Sequence, residues 1–339
     1  MKAVAFTHAR PITSMDALQD VDLPVPVPRH HDLLVEIKAV SVNPVDTKIR
    51  QSAEPLGEPR VLGYDAAGIV RAIGPEVQNF SVGDEVFYAG VPDRQGSNAE
   101  FQLVDDRIVG HKPKSLSFAQ AAALPLTALT AWEMLFERFR IPRDQPHGGT
   151  MLVVGAGGGV GSMAIQLAAQ LTDMTIIATA SRPETAEWCR SLGAHHIVNH
   201  QHDLGAQILQ AGLNPPGHIF CVAHVKQHFH KLVELLAPEG AVGIIESNAG
   251  ELNVSPLIRK SATLHTEYVF TRGLLHTHDM SVQHRTLEAI AHLVDNGTLK
   301  TTMTENYGPI NAINLIRAHA ALESGMTMGK ICLLYTSDA

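Results

Sequence analysis

Cysteine is scarce: the 339 residues contain only Cys189, Cys221 and Cys332. Widely spaced and odd in number, they exclude a disulfide framework and point to a reducing compartment. They also cannot supply a four-cysteine zinc site. Basic runs are missing too. The formal net charge is −8 and no run of five basic residues occurs, which excludes nucleic acid as the principal partner. Neither the opening "MKAVAFTHARPITS" nor any later stretch reaches the roughly 18 apolar residues of a membrane helix. A cytoplasmic protein without a membrane partner is expected. Hydrophobic residues at 45% and charged residues at 18% are ordinary for a globular chain, and the length predicts two domains.

What is present changes along the chain. The first 125 residues hold short β-type runs, "KAVAF", "DLLVEIKAVSV", "AAGIVRAIG", "GDEVFYAG" and "AEFQLVD", parted by proline, glycine and acidic residues. From Phe118 the spacing turns helical, with a break predicted at Pro125. After Gly149, apolar strands alternate with helices: "MLVV", "TIIATA", "HHIVN", "HIFCVA" and "GAVGIIE" are separated by "SMAIQLAAQL", "PETAEWCRSL", "LGAQILQA" and "VKQHFHKLVELL". Strands buried on both faces and joined by helices predict a doubly wound parallel sheet. Two amphipathic helices, "SVQHRTLEAIAHLVDNG" and "INAINLIRAHAALESG", and the strand "GKICLLY" follow Gly273.

Five glycines in seven positions, "GAGGGVG" at 155–161, join the first of those strands to its helix. Gly155 suits a tight turn, Gly158 a close backbone approach and Gly161 close helix packing. Gly159 and Val160 then open a helix whose N-terminus attracts a pyrophosphate. The flanking strand and helix turn a weak motif into a dinucleotide site. The next strand ends in "TASRP", without the carboxylate that holds the adenosine ribose of NAD. Ser181 and Arg182 there suit a 2′-phosphate, hence NADPH. The alternative is that Arg182 is a solvated charge at a helix start.

"AVSVNPVDTKIR", "LGYDAAGIV", "VGDEVF", "ALPLTALTAWE" and the glycine loop occur in this order, from residue 39 to 161. Together they resemble the medium-chain dehydrogenase/reductase superfamily, and within it the zinc-independent quinone oxidoreductase branch. The resemblance implies an α/β protein: a GroES-like β-rich catalytic domain at 1–125 and 273–339, and a Rossmann domain binding NADP(H) at 126–272. It also implies a homodimer. Zinc-dependent relatives carry cysteine and histidine where this chain has Asn43 and Tyr64, followed by an acidic residue as Asp65 is here. An amide and a phenol are not ordinary zinc ligands, so no catalytic zinc is expected. A zinc-type name on such a sequence records descent.

Without a Lewis acid, hydride transfer to a quinone or α,β-unsaturated carbonyl is the expected chemistry, because such acceptors spread the incoming charge themselves. Asn43 is the candidate donor to a carbonyl, Tyr64 the candidate proton donor, and Asp46 the group that orients the loop or cofactor. Structural alternatives stand beside each: a turn at Asn43-Pro44, a cap by Asp46, and packing of Tyr64 beneath the cofactor. By resemblance Thr127, with Thr130 nearby, lies on the nicotinamide side, unless its hydroxyl bonds its own helix. His200 stands where relatives have a tyrosine at the adenosine end. Ala223 and His224, and Glu246 and Ser247, end two further strands at the ligand-binding edge. Lys330 matches a lysine that relatives place near the cofactor phosphate, or is simply solvated. His224 and His228 read as a partly exposed helix face rather than a metal pair. The closing "YTSDA" is set aside as a remnant. A zinc-dependent alcohol dehydrogenase and a non-enzymatic nucleotide-binding protein are the competing readings.

Overall fold

The computed structural model describes residues 1–53, 55, 57–143, 146, 148–246 and 250–335. Ser247 and residues 336–339 of the closing segment lie outside these. Two compact units divide the chain: Met1–Leu129 with Phe270–Ala339, and Thr130–Val269.

The first unit is the GroES-like body. Its larger sheet runs, edge to edge, through Met303–Pro309, Lys330–Leu334, Asp32–Ser41, Ala66–Ile73, Glu85–Tyr88 and Val109–His111, with Phe101–Asp105 also paired to Asp32–Ser41. Strand Asp32–Ser41 alternates apolar and polar residues and buries Leu33, Val35, Ile37 and Ala39. Its end has two neighbours. Antiparallel register sets Cys332 opposite Ser41 on one side and Ala66 opposite Val40 on the other. Extended by one or two residues, those registers bring residues 43, 65 and 330 together. A smaller sheet joins Gln19–Asp22, Lys2–Phe6 and Arg60–Val61. Strand Met303–Pro309 was not expected from the sequence, because no residue of it is buried and its pattern "MTENYGP" is mostly polar.

Two helices of this unit, Pro44–Ser52 and Ala312–Glu323, carry its most unusual buried groups. Arg50 is fully buried and donates to the Arg10 carbonyl and to Glu323. His319 is also fully buried, and neither ring nitrogen has a hydrogen-bond partner among the described residues. Burial, reinforced by the Arg50 charge, lowers its pKa to about 3.

The second unit is a six-stranded parallel sheet in the order His196–Val198, Thr175–Thr179, Thr150–Val154, His218–Cys221, Ala241–Ile244, Thr263–Thr266. Numbered along the chain this is 3-2-1-4-5-6, the Rossmann arrangement, with its switch point beside the first strand. The four expected helices are Gly159–Leu171, Pro183–Ser191, Leu204–Gln210 and Val225–Leu235. Aliphatic faces of the strands and of helix Val225–Leu235 form the core, with Leu152, Ile177, Ile219, Phe229 and Val242 buried together. The sixth strand escaped the sequence reading because "TLHT" lies at the sheet's outer edge and is only partly buried. Proline does break the earlier helical run, giving Phe118–Ala122 and Pro125–Trp132, and the latter continues into a wide turn at Glu133–Arg138. Arg138 of that turn reaches Glu267 at 3.0 Å, and Glu267 is buried.

Candidate active site

In the first unit, the strand registers assemble a buried polar cluster. Asn43 begins helix Pro44–Ser52, and its backbone N–H donates to Asp46 Oδ2 at 2.7 Å. The second Asp46 oxygen accepts from Gly63 N–H at 3.0 Å. Asp46 is therefore both a cap and a tie between the helix and the loop before Tyr64. Gly63 has φ +112°, and a Cβ there would lie 2.5 Å from Ser97 Oγ and 2.9 Å from Asn98 N. Only glycine lets that loop approach. Burial raises the Asp46 pKa to about 7, against the two backbone donors.

Asp65 is the centre of the cluster. One oxygen accepts from Leu126 N–H at 2.7 Å; the other accepts from Asn43 Nδ2 at 2.8 Å and Lys330 Nζ at 2.9 Å. Burial pushes its pKa up, while these donors favour the carboxylate. Lys330 Nζ donates in addition to the Val42 carbonyl at 2.8 Å and to Asn43 Oδ1. Both side chains are engaged inside the protein. The hydrogens of the Asn43 amide go to Asp65 and, at 3.3 Å, to the Ser41 carbonyl, so none is left to hold a substrate carbonyl. The three hydrogens of Lys330 likewise go to buried acceptors. Tyr64 is fully buried, its ring edge-on to Phe270 at 5.4 Å. The Thr127 hydroxyl donates to Leu124 O, just before its helix, at 3.0 Å. Thr130 is buried.

These donors do not fit zinc. Asp65 already binds an ammonium, Asp46 holds two backbone N–H groups, and Asn43 and Tyr64 are poor zinc ligands. Among the described residues, no group of three or more His, Cys, Asp or Glu side chains could hold a metal ion.

In the second unit, Gly155 has φ +79°, and a Cβ there would meet Val222 Cγ2 at 2.8 Å. At Gly161 a Cβ would fall 2.6 Å from Ala156 Cα, Ala156 O and Gly155 O. By contrast, a Cβ at Gly158 would find only Gly155 O, at 3.7 Å. Gly158 caps helix Gly159–Leu171, which includes Val160, so the open side of the turn faces free helical N–H groups. The turn fits a pyrophosphate. Gly155 N–H donates to Thr179 Oγ1 at 3.1 Å, a link from first to second strand that the motif does not announce.

Ser181 and the exposed Arg182 follow that second strand, and Arg182 caps helix Pro183–Ser191. Ala223 lies beside Gly155, since a Cβ there would be 3.2 Å from the Ala223 Cβ. His200 is exposed, with its ring 6.2 Å from that of His228, which is 6.4 Å from His224. Burial and the neighbouring imidazoles lower the His228 pKa. Glu246 accepts from Val225 N–H at 2.7 Å and so caps the helix after the fourth strand, a local role beside any ligand role.

Two family models cover most of the chain: the alcohol dehydrogenase GroES-like domain at residues 29–131 and the zinc-binding dehydrogenase at 159–284. A zinc-type alcohol dehydrogenase-like protein of Staphylococcus aureus is 38% identical over 98% of this chain and 99% of its own. The chain belongs to the medium-chain dehydrogenase/reductase superfamily. It is an oxidoreductase of that superfamily, built to bind a nicotinamide dinucleotide. A candidate zinc-dependent alcohol dehydrogenase from Rhizobium etli superimposes with a TM-score of 0.95 at 49% identity, covering 99% of this chain and 98% of the other. The quinone oxidoreductase of Coxiella burnetii matches at a TM-score of 0.82 and 26% identity, covering 99% of each chain.

Proposed function

We propose that this oxidoreductase uses NADPH to reduce a quinone or an α,β-unsaturated carbonyl, without a catalytic metal. The observation that carries the reading is the donor set at Asn43, Tyr64 and Asp65, which leaves no place for a Lewis acid. A simple alkoxide forming in such a site lacks a counter-cation of the usual strength. A conjugated acceptor needs less, because its own oxygen takes up the charge. Likeness to the Coxiella quinone oxidoreductase supports that acceptor class. When bound, the reduced nicotinamide supplies the hydride. Gly155, Gly158 and Gly161 leave room for the pyrophosphate, and Ser181 and Arg182 receive the 2′-phosphate. A homodimer and a cytoplasmic location belong to the same reading.

The test is NADPH consumption across quinones, enones, aldehydes and ketones. Quinones or enones should be turned over, and simple ketones should not. No oxidation with any acceptor would favour the non-enzymatic reading. Arg182→Asp should weaken NADPH at least about tenfold while sparing NADH, since a guanidinium–phosphate contact is a strong charge-assisted bond. Unchanged NADPH affinity would remove Arg182 from the site.

Tyr64 gives a second prediction. A general acid is worth about 10²–10⁴-fold in rate. Because the Tyr64 side chain is fully buried and water can protonate an enolate or quinol, Tyr64→Phe should keep kcat within about tenfold. A larger fall, with KM unchanged, would make Tyr64 the proton donor.

A further inference from the structure

We propose that the Lys330 ammonium is the resident cation of the buried cluster, and that removing it opens a site for a small alkylammonium ion. The inference extends the metal-free reading above.

Three oxygens from two chain segments surround Nζ: Val42 O at 2.8 Å, Asp65 Oδ2 at 2.9 Å and Asn43 Oδ1. Their number equals the hydrogens of an ammonium. Val42, Asn43, Asp65 and Lys330 are each at most 4% exposed, so the pocket's charge is shielded from bulk solvent. The oxygens that accept from Nζ are one carboxylate and two neutral ones. That balances a monovalent cation and would leave a dication uncompensated in a low-dielectric interior. The second carboxylate, Asp46, feels the charges of Lys330 and Asp65, but its oxygens accept from the backbone N–H groups of Asn43 and Gly63 rather than from Nζ, and burial favours its neutral form. The donors are all oxygen, whereas zinc favours thiolate and imidazole.

The geometry also fixes the size of a substitute. Lys330→Ala deletes Cγ, Cδ, Cε and Nζ, the heavy atoms of n-propylammonium, and the strand residues beyond, Ile331, Cys332 and Leu333, are fully buried and hold the walls. Ethylammonium and n-propylammonium should therefore fit. Tetramethylammonium carries the same charge but no N–H to donate.

The experiment measures melting temperature, and zinc content by elemental analysis. Lys330→Ala should melt below the parent protein. Propylammonium chloride should raise its melting point above that in sodium chloride of equal ionic strength, tetramethylammonium should not, and the parent protein should ignore both. The double variant Asp65→Asn with Lys330→Met should melt above Lys330→Ala and be blind to the amines. If Lys330→Ala does not accumulate as folded protein, the double variant should. A Lys330→Ala protein indifferent to propylammonium overturns the proposal, as does a double variant no better folded than Lys330→Ala. Stoichiometric zinc in the parent protein would overturn both this proposal and the metal-free reading. Failure of amine rescue without zinc would overturn the proposal alone, and absence of NADPH turnover would leave the melting results untouched.

Discussion

Gly161→Ala should weaken dinucleotide binding by about 10–100-fold and cost about 1–3 kcal/mol of stability, the usual range for overpacking. Helix propensity alone predicts the opposite sign, since alanine in a helix interior is worth up to about 1 kcal/mol over glycine. Sterics wins, because the new methyl would lie 2.6 Å from three backbone atoms of Gly155 and Ala156. Neither of those residues can withdraw without distorting the turn. Gly158→Ala is the matched control. Its methyl has an ordinary 3.7 Å neighbour, so the fold should be spared while affinity still falls if the pyrophosphate lies against that face. Isothermal titration with NADPH, alongside denaturant melts, separates the two effects. Equal affinity for all three proteins would mean that the turn holds no phosphate.

The second large effect is acid sensitivity carried by His319. A histidine whose folded pKa is about 3 takes up a proton on unfolding wherever the pH is below its unfolded value of about 6.5. Stability is therefore lost as the pH falls from about 6.5 toward 3, by about 1.4 kcal/mol per unit, reaching about 2 kcal/mol at pH 5. Asp46 acts the other way, since a buried carboxyl raised to about 7 holds its proton in the folded state and gains stability as the pH drops below that value. The comparison must therefore be between variants. His319→Leu should match or exceed the parent protein at pH 7, because two buried ring nitrogens lose their unmet hydrogen bonds. Its advantage should widen by about 2 kcal/mol at pH 5. A difference independent of pH, in urea melts at both values, would show that His319 titrates normally.

Much of the fold was legible in the residues. The apolar strands after Gly149 and their helices can be read one by one, since fully buried strands leave little doubt about their environment. Strands Thr263–Thr266 and Met303–Pro309 were not, because edge positions tolerate the polar residues they contain. The glycine turn was legible for the same reason that it is rigid: Gly155 and Gly161 have no steric alternative. The polar cluster was legible in membership but not in its hydrogen bonds. Asn43, Asp46 and Lys330 stand out as chemistry-bearing residues, but the hydrogen bonds of Lys330 to Val42 and Asp65 depend on strand register across hundreds of positions. Thr127 shows the limit on a smaller scale, for a hydroxyl's choice between its own helix and a ligand leaves no trace in spacing.

The register that sets Cys332 opposite Ser41 also has a consequence for biosynthesis. Asn43 and Asp65 leave the ribosome early, whereas the counter-charge of Asp65 arrives some 265 residues later. Until strand Lys330–Leu334 docks, the nascent amino-terminal body must keep that carboxylate hydrated or protonated, and its sheet has an open edge at Ala39, Val40 and Ser41. Closure of the pocket is thus a late, long-range event, and the finished charge balance doubles as a check that the last strand has been added in register.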